Sequence, residues 1–188
     1  MKKVLFVITL GLAVVATGCK SKKAVYANDN EVEITVPCAE YQSDAKALRA
    51  TASAKSPDMN NAKQKAYDAA RQELGTQISA LIKRVADSYS SSYDTDQAAD
   101  FRARFMNMSR TVVQQVLQGS HSICDKTTKI ANKDGSQMFR HYTAMEVTQS
   151  ELVQELSNKV SNEDKLRTDF EYEKFKQIFD EEMANFGK

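Results

Sequence analysis

Residues 62–85, AKQKAYDAARQELGTQISALIKRV, decide the fold, because an apolar residue returns at every third or fourth position over several helical turns. The first half of this stripe is alanine, and such small side chains let a helix approach a sheet or another helix closely. Gly75 interrupts it at a cost of about 1 kcal/mol relative to alanine. Ser56 as N-cap and Pro57 at the first helical position predict where the helix begins. The stripe consists of Ala62, Ala66, Ala70, Leu74, Ile78, Leu81 and Val85.

A second helix and a β-hairpin follow. After a turn over residues 91–96, one helical face carries Ala98, Phe101, Phe105, Met108, Val112 and Val116, which predicts an antiparallel pair of helices. Two runs of strand type, 121–131 and 137–148, are then joined by a segment containing Asp134-Gly135, a strong hairpin signal. We expect the core side of the second run to carry Phe139, His141, Thr143, Met145 and Val147.

Shorter patterns complete the fold. Thr148 and Glu151 form a capping box before a helix, and residues 161–188 predict a terminal amphipathic helix. Towards the N-terminus, 31–36 alternates like a strand ended by Pro37, and 47–55 predicts a second strand. The sequence thus predicts an α+β domain over 31–160, in which a small antiparallel sheet with a β-hairpin packs on two long helices, followed by C-terminal amphipathic helices.

The N-terminus has the pattern of an export signal. Lys2 and Lys3 precede an apolar run that is too short to span a bilayer, so residues 1–18 are interpreted as a signal peptide. Residues 16–19, ATGC, resemble a bacterial lipobox, which predicts fatty acyl chains such as palmitate on Cys19 and a tether over 19–30. The alternative is an ordinary secreted protein with an incidental cysteine.

The segment after the lipobox indicates a location by resemblance to Gram-negative lipoproteins. The residue after Cys19 is not aspartate, which there implies delivery to the outer membrane. No acidic run follows, which argues against the surface-export signal of Bacteroidetes-like lipoproteins. We therefore expect a lipid anchor in the outer membrane, with the soluble body facing the periplasm.

The order of strand, helices, hairpin and helix resembles a known family. The resemblance is carried by PC at 37–38, RATASAKS at 49–56, the alanine-spaced helix and DGSQMFRHYTAMEVTQSELVQEL at 134–156. In these segments the chain is similar to the twenty-kilodalton bacterial envelope lipoproteins and their Bacteroidetes-type relatives. The resemblance covers about residues 36–160. It implies a strand-helix-strand-strand module in the cell envelope and no active-site residues.

Two of the three cysteines remain after Cys19 is assigned. In an oxidising compartment Cys38 and Cys124 are candidates for a disulfide, with two buried unpaired thiols as the alternative. A metal site would need His121, Cys124 and His141, but strand alternation places the first two on opposite faces. Hairpin pairing places His141 opposite about residue 126, and hence about 16 Å from His121. We expect no metal and no cofactor.

Charge and motifs restrict the function. The 26 Lys and Arg residues against 25 Asp and Glu residues give no basic excess that would recruit nucleic acid. Serine elbows, glycine-rich phosphate loops and HExxH are missing from the sequence, so no catalytic residue and no enzyme activity is assigned.

Two hypotheses for the function remain. In the first, the anchored domain is a structural or interaction module that binds another envelope protein or a second copy, through Phe170, Phe175, Phe179 and Phe186. The alternative for these rings is docking of the helix onto its own domain. In the second hypothesis, the protein binds a small molecule or a cell-wall glycan near Tyr89, Tyr93 and Tyr142.

Overall fold

A computed structural model describes residues 34–91, 95–163 and 170–186. Within these residues the elements are β1 (Ala47–Ser56), α1 (Met59–Ser90), α2 (Thr95–Gly119), β2 (His121–Ala131), β3 (Gln137–Thr148), α3 (Gln149–Ser161) and α4 (Tyr172–Phe186). The predicted α+β class is confirmed. From Thr35 onwards these residues belong to one compact unit, whereas the predicted signal peptide and tether lie outside the described residues.

The three strands form an antiparallel sheet in the order β1-β3-β2. The hairpin strands have the bounds that the sequence predicts, and Gly135 adopts a φ of 82° in the turn between them, a value that favours glycine. His141 in the central strand lies between Ala54 of β1 and Thr127 of β2. We call the face that carries His141 the inner face and the opposite one the outer face.

Helix α1 packs on the inner face of the sheet. Its predicted stripe is confirmed, since all seven residues from Ala62 to Val85 are buried. Small residues also line the facing strand, where Ala50 is buried and Ala52 and Ala54 are partly buried. Alanine on both sides allows the helix and the sheet to approach closely, and this contact forms one end of the core.

Gly75 lies where α1 passes α2. A Cβ atom added at this position would lie 3.0 Å from Cδ1 of Leu117. The glycine therefore makes room for the second helix, a role that the sequence pattern, which shows only the interruption, does not reveal.

Helix α1 begins later than predicted. Strand β1 continues through Ser56, so this residue is not the N-cap, and Pro57 lies outside the helix. Asp58 is the N-cap instead, and its side chain accepts a hydrogen bond from the backbone N–H of Asn61 at 2.8 Å. The Oγ of Ser56 accepts from the N–H of Asp58 and so stabilises the junction between strand and helix.

The predicted strand over 31–36 is wrong for its described residues, 34–36, which have no regular structure. Among the described residues the sheet contains β1, β3 and β2 alone, so this segment has no partner strand. Beyond it the chain turns twice: the N–H of Ala39 donates to the carbonyl of Val36, and the N–H of Tyr41 donates to that of Cys38. Cys38 has a left-handed φ of 66°, which bends the chain away from an extended path. Residues 47–55, predicted as a second strand, are confirmed as β1.

The two last helices complete the core. The capping box of Thr148 and Glu151 is confirmed at the start of α3. Helix α4 then packs against α1 and, less extensively, against α3. The amphipathic helix predicted over 161–188 is therefore shorter, because α3 extends to Ser161 and α4 begins at Tyr172.

Candidate functional site

The two cysteines of the domain are joined. The Sγ atoms of Cys38 and Cys124 are bonded at 2.13 Å, with Cα atoms 5.8 Å apart. Cys124 pairs with Ala144 in the sheet, so the bond holds the segment around Cys38 against the outer face, where Ala144 is fully buried. Cys19, the predicted site of lipid attachment, lies outside the described residues.

A chain of charged residues lies on the same outer face. The guanidinium of Arg49 contacts Glu146 through Nε at 2.6 Å and Asp44 through Nη1 at 2.8 Å. His121 Nε2 lies 3.9 Å from the other carboxylate oxygen of Glu146. Hydrogen bonds from Arg49 and from the N–H of Lys46 lower the pKa of Asp44 below its ordinary value. The network fastens the segment before β1 to the central strand.

A polar cluster surrounds a buried histidine on the inner face beside α1. His141 is 3% exposed, and its Nε2 lies 3.0 Å from Oδ1 of Asp125 while its Nδ1 lies 2.7 Å from the hydroxyl of Thr127. The hydroxyl of Tyr67 on α1 donates to Oδ2 of Asp125 at 2.9 Å. The sequence placed His141 on the core side, but it did not indicate these partners, which come from β2 and α1.

The electrostatics of this cluster favour a charged carboxylate. Partial burial acts to raise the pKa of Asp125, but hydrogen bonds, those from Ser122 and Tyr67 first among them, hold it below its ordinary value. Both ring nitrogens of His141 have hydrogen-bond partners within the fold, so the imidazole satisfies the polar side chains of Asp125 and Thr127 on the inner side of β2. A histidine between a carboxylate and a hydroxyl also occurs at activated nucleophiles, but there the imidazole must reach the leaving group, whereas His141 is 3% exposed.

A β-bulge in β2 overturns one predicted geometry. The register shifts between Ser122 and Cys124, so His121 and Cys124 lie on the same face and not on opposite faces. His141 pairs with Thr127, one residue from the predicted position. Cys124 is bonded to sulfur, which excludes it as a metal ligand in this state. Within the described part of the chain, no group of three or more His, Cys, Asp or Glu side chains is placed to hold a metal ion.

The aromatic face of α4 is directed into the protein's own core. Phe175 and Phe179 are fully buried, and Phe170 and Phe186 are partly buried against the same core. The hypothesis that these four rings form an exposed interaction surface is therefore wrong for Phe175 and Phe179. Docking of the helix onto its own domain, the alternative left open by the sequence, describes what they do.

The three tyrosines proposed to line a ligand site do not meet as predicted. Tyr89 is buried, and its hydroxyl accepts a hydrogen bond from the N–H of Glu171 at 2.8 Å. Tyr142 is partly buried on the outer face, beside Val36 and Pro37. Tyr93 lies outside the described residues. A site between Tyr89 and Tyr142 is excluded, because Tyr89 is enclosed by the helices.

A groove between α3 and α4, here called the helical groove, is a candidate binding site. Its volume is about 560 Å³, within the range typical of small-molecule sites. Helix α3 contributes mainly amide and hydroxyl side chains, and α4 contributes Tyr172, Lys176 and Asp180. The α3 side consists of Gln149, Ser150, Val153, Gln154, Ser157 and Asn158.

Comparisons with known proteins identify no relative: the chain matches no protein-family model, no curated protein and no solved structure. None of the helices over 34–91, 95–163 and 170–186 combines the length and the hydropathy that a bilayer crossing requires.

Proposed function

We propose that this protein is a lipoprotein anchored in the outer membrane through Cys19, with a periplasm-facing domain that serves as a non-enzymatic structural or protein-interaction module of the envelope. The observation that carries the proposal is the pairing of Cys38 with Cys124. The chain has three cysteines, and this bond accounts for the two that belong to the domain. The third lies at the lipobox, directly after the predicted signal peptide.

The disulfide and the lipobox support the same compartment independently. Disulfides persist in oxidising compartments such as the bacterial periplasm, and they are rare in the cytosol. A lipobox functions only in an exported chain. An acylated Cys19 would also anchor the domain firmly, because each buried methylene contributes about 0.8 kcal/mol to membrane binding.

The non-enzymatic part of the proposal is supported by how the acid–base groups are used. His141 is 3% exposed and hydrogen-bonded within the fold, and Glu146 contacts Arg49. These contacts stabilise the sheet. Photo-crosslinking in intact cells, with the probe on exposed positions of α2, tests the module role: recovery of one reproducible envelope protein supports it, and turnover of a substrate by the purified chain contradicts it.

Labelling in cells with an alkyne-tagged fatty acid tests the anchor. The wild-type chain should incorporate the label and remain with the membranes, and Cys19→Ala should lose both properties. The double variant Cys38→Ala/Cys124→Ala is the matched control, because it lacks the other two cysteines but keeps Cys19 and the lipobox. Retention of the label by Cys19→Ala, or a processed N-terminal peptide with a free thiol and a free amine, would overturn the proposal.

A further inference from the structure

We propose that the helical groove between α3 and α4 binds a short, uncharged oligosaccharide. The inference goes beyond the envelope role and does not depend on the lipid anchor. It is based on the lining of the groove, its charge balance, its aromatic edge and its length.

The α3 side of the groove is polar but carries no charge. Its side chains are Gln149, Ser150, Gln154, Ser157 and Asn158, with Val153 between them. Successive members are one, three or four residues apart, which places them on one face of the helix. The amides of Gln154 and Asn158 are exposed, and each offers two donors and an acceptor, the combination that pairs with neighbouring sugar hydroxyls.

The charged residues of the groove neutralise one another. Lys176 Nζ contacts Oδ2 of Asp180 at 2.6 Å, and Nε2 of Gln149 donates to the second oxygen, Oδ1, also at 2.6 Å. The ammonium and the carboxylate therefore cancel within the groove. This balance favours a neutral ligand over a phosphate, a carboxylate or a polycation.

An aromatic ring stands at one end of the groove. Tyr172 is 44% exposed, whereas the other rings of this helix pack into the core. Tyrosine presents an apolar face together with a polar tip, which suits a ligand that has C–H faces and hydroxyl edges. Val153, which is buried, supplies the apolar floor.

The groove has the length of a short oligosaccharide. From Gln149 to Asn158 the helix advances nine residues, or about 14 Å at 1.5 Å per residue. Asp180 contacts Gln149 at one end, while Tyr172 lies eight residues earlier on α4, about 12 Å away along its axis. A chain of two or three sugar rings fits between the aromatic end and the ion pair.

Titration calorimetry of the full chain in detergent with three neutral tetrasaccharides, chitotetraose, cellotetraose and maltotetraose, tests the assignment. At least one should bind saturably and perturb the NMR signals of the Gln154 and Asn158 side-chain amides. Tyr172→Ala should weaken that binding about tenfold, the loss expected for one stacking contact. Gln177→Ala is the matched control, because this exposed residue of α4 lies outside the groove and should bind as the wild type does.

Three results would overturn the assignment. The first is the absence of saturable binding by all three sugars. The second is equal affinity of Tyr172→Ala and the wild type, which places any bound sugar elsewhere. The third is tighter binding of tetragalacturonate, an anionic tetrasaccharide, than of the neutral ones, which contradicts the charge argument.

Discussion

Replacing Phe175 with alanine tests whether α4 is an integral part of the domain. The side chain is fully buried, and removal of a buried phenylalanine costs about 3–5 kcal/mol of unfolding free energy, including the cavity that remains. The Phe175 ring also lies 5.1 Å from that of Phe170 and 5.7 Å from that of Phe105, measured between centroids. Each such pair contributes about 0.5–1.5 kcal/mol beyond its buried area, so we expect a loss in the upper half of the range.

The measurement is urea unfolding followed by circular dichroism, in a Cys19→Ala background so that acyl chains do not interfere. Tyr172→Ala is the matched control: it removes a ring from the same helix, but from an exposed position, and should change stability by about 0.5 kcal/mol or less. The slope of unfolding free energy against urea should stay unchanged. A loss below about 1 kcal/mol for Phe175→Ala would show that the helix is dispensable and would return it to the role of an interaction segment.

Three further predictions concern the rest of the domain. Removal of the disulfide by Cys38→Ala/Cys124→Ala should cost up to about 4.6 kcal/mol in the chain-entropy model, given a sequence separation of 86, and reduced wild type should show a similar loss in the same urea assay. Gly75→Ala should raise the free energy of unfolding by up to about 1 kcal/mol in a Leu117→Ala background. In the wild type the gain should be clearly smaller, because the added Cβ contacts the side chain of Leu117. Equal gains in both backgrounds would contradict this close contact. Asp125→Asn should flatten the fall in unfolding free energy below about pH 4. A carboxylate whose pKa is lowered in the folded state stabilises the fold above its unfolded-state pKa and loses that contribution as the pH falls through its folded-state pKa. An equally steep fall for the variant and the wild type would refute this.

Local patterns determined most of the fold. The apolar stripe of α1 and the alternation and turn residues of the hairpin are properties of neighbouring positions, so both could be predicted closely. The capping box of α3 is equally local, since its partners are three residues apart. In each case the atoms that specify the element belong to the element itself.

The errors arose where a distant partner decides the outcome. The bulge at Ser122 and Cys124 changes which side chains share a face, and no turn residue marks it in the sequence. The aromatic stripe of α4 is equally compatible with a partner or with the chain's own core, and only the packed structure decides between them. Sequence periodicity specifies that a face must be covered but not what covers it.

The candidate site shows the same limit. The uncharged residues of α3 can be recognised in the sequence as one helical face, but a groove exists only because α4 lies alongside at the right separation. Tyr172 precedes a run of buried rings, and the sequence does not separate it from them, although its exposure gives it a different role. The aromatic residues chosen from the sequence were those nearest the long helices and the hairpin, and the one at the groove was missed.

The two faces of the sheet are covered by different means, and this difference explains why the disulfide belongs where it is. Helix α1 covers the inner face with a continuous apolar stripe, so hydrophobic burial holds it in place. On the outer face, where Thr51, Ser53 and Lys55 are exposed, the segment around Cys38 covers the part near Ala144; this segment has no regular structure, and Val36 within it is 47% exposed. So little buried apolar area cannot offset the entropy of ordering that segment. The bond to Cys124 and the ion pairs of Arg49 supply the difference, so the integrity of this face depends on an oxidising environment.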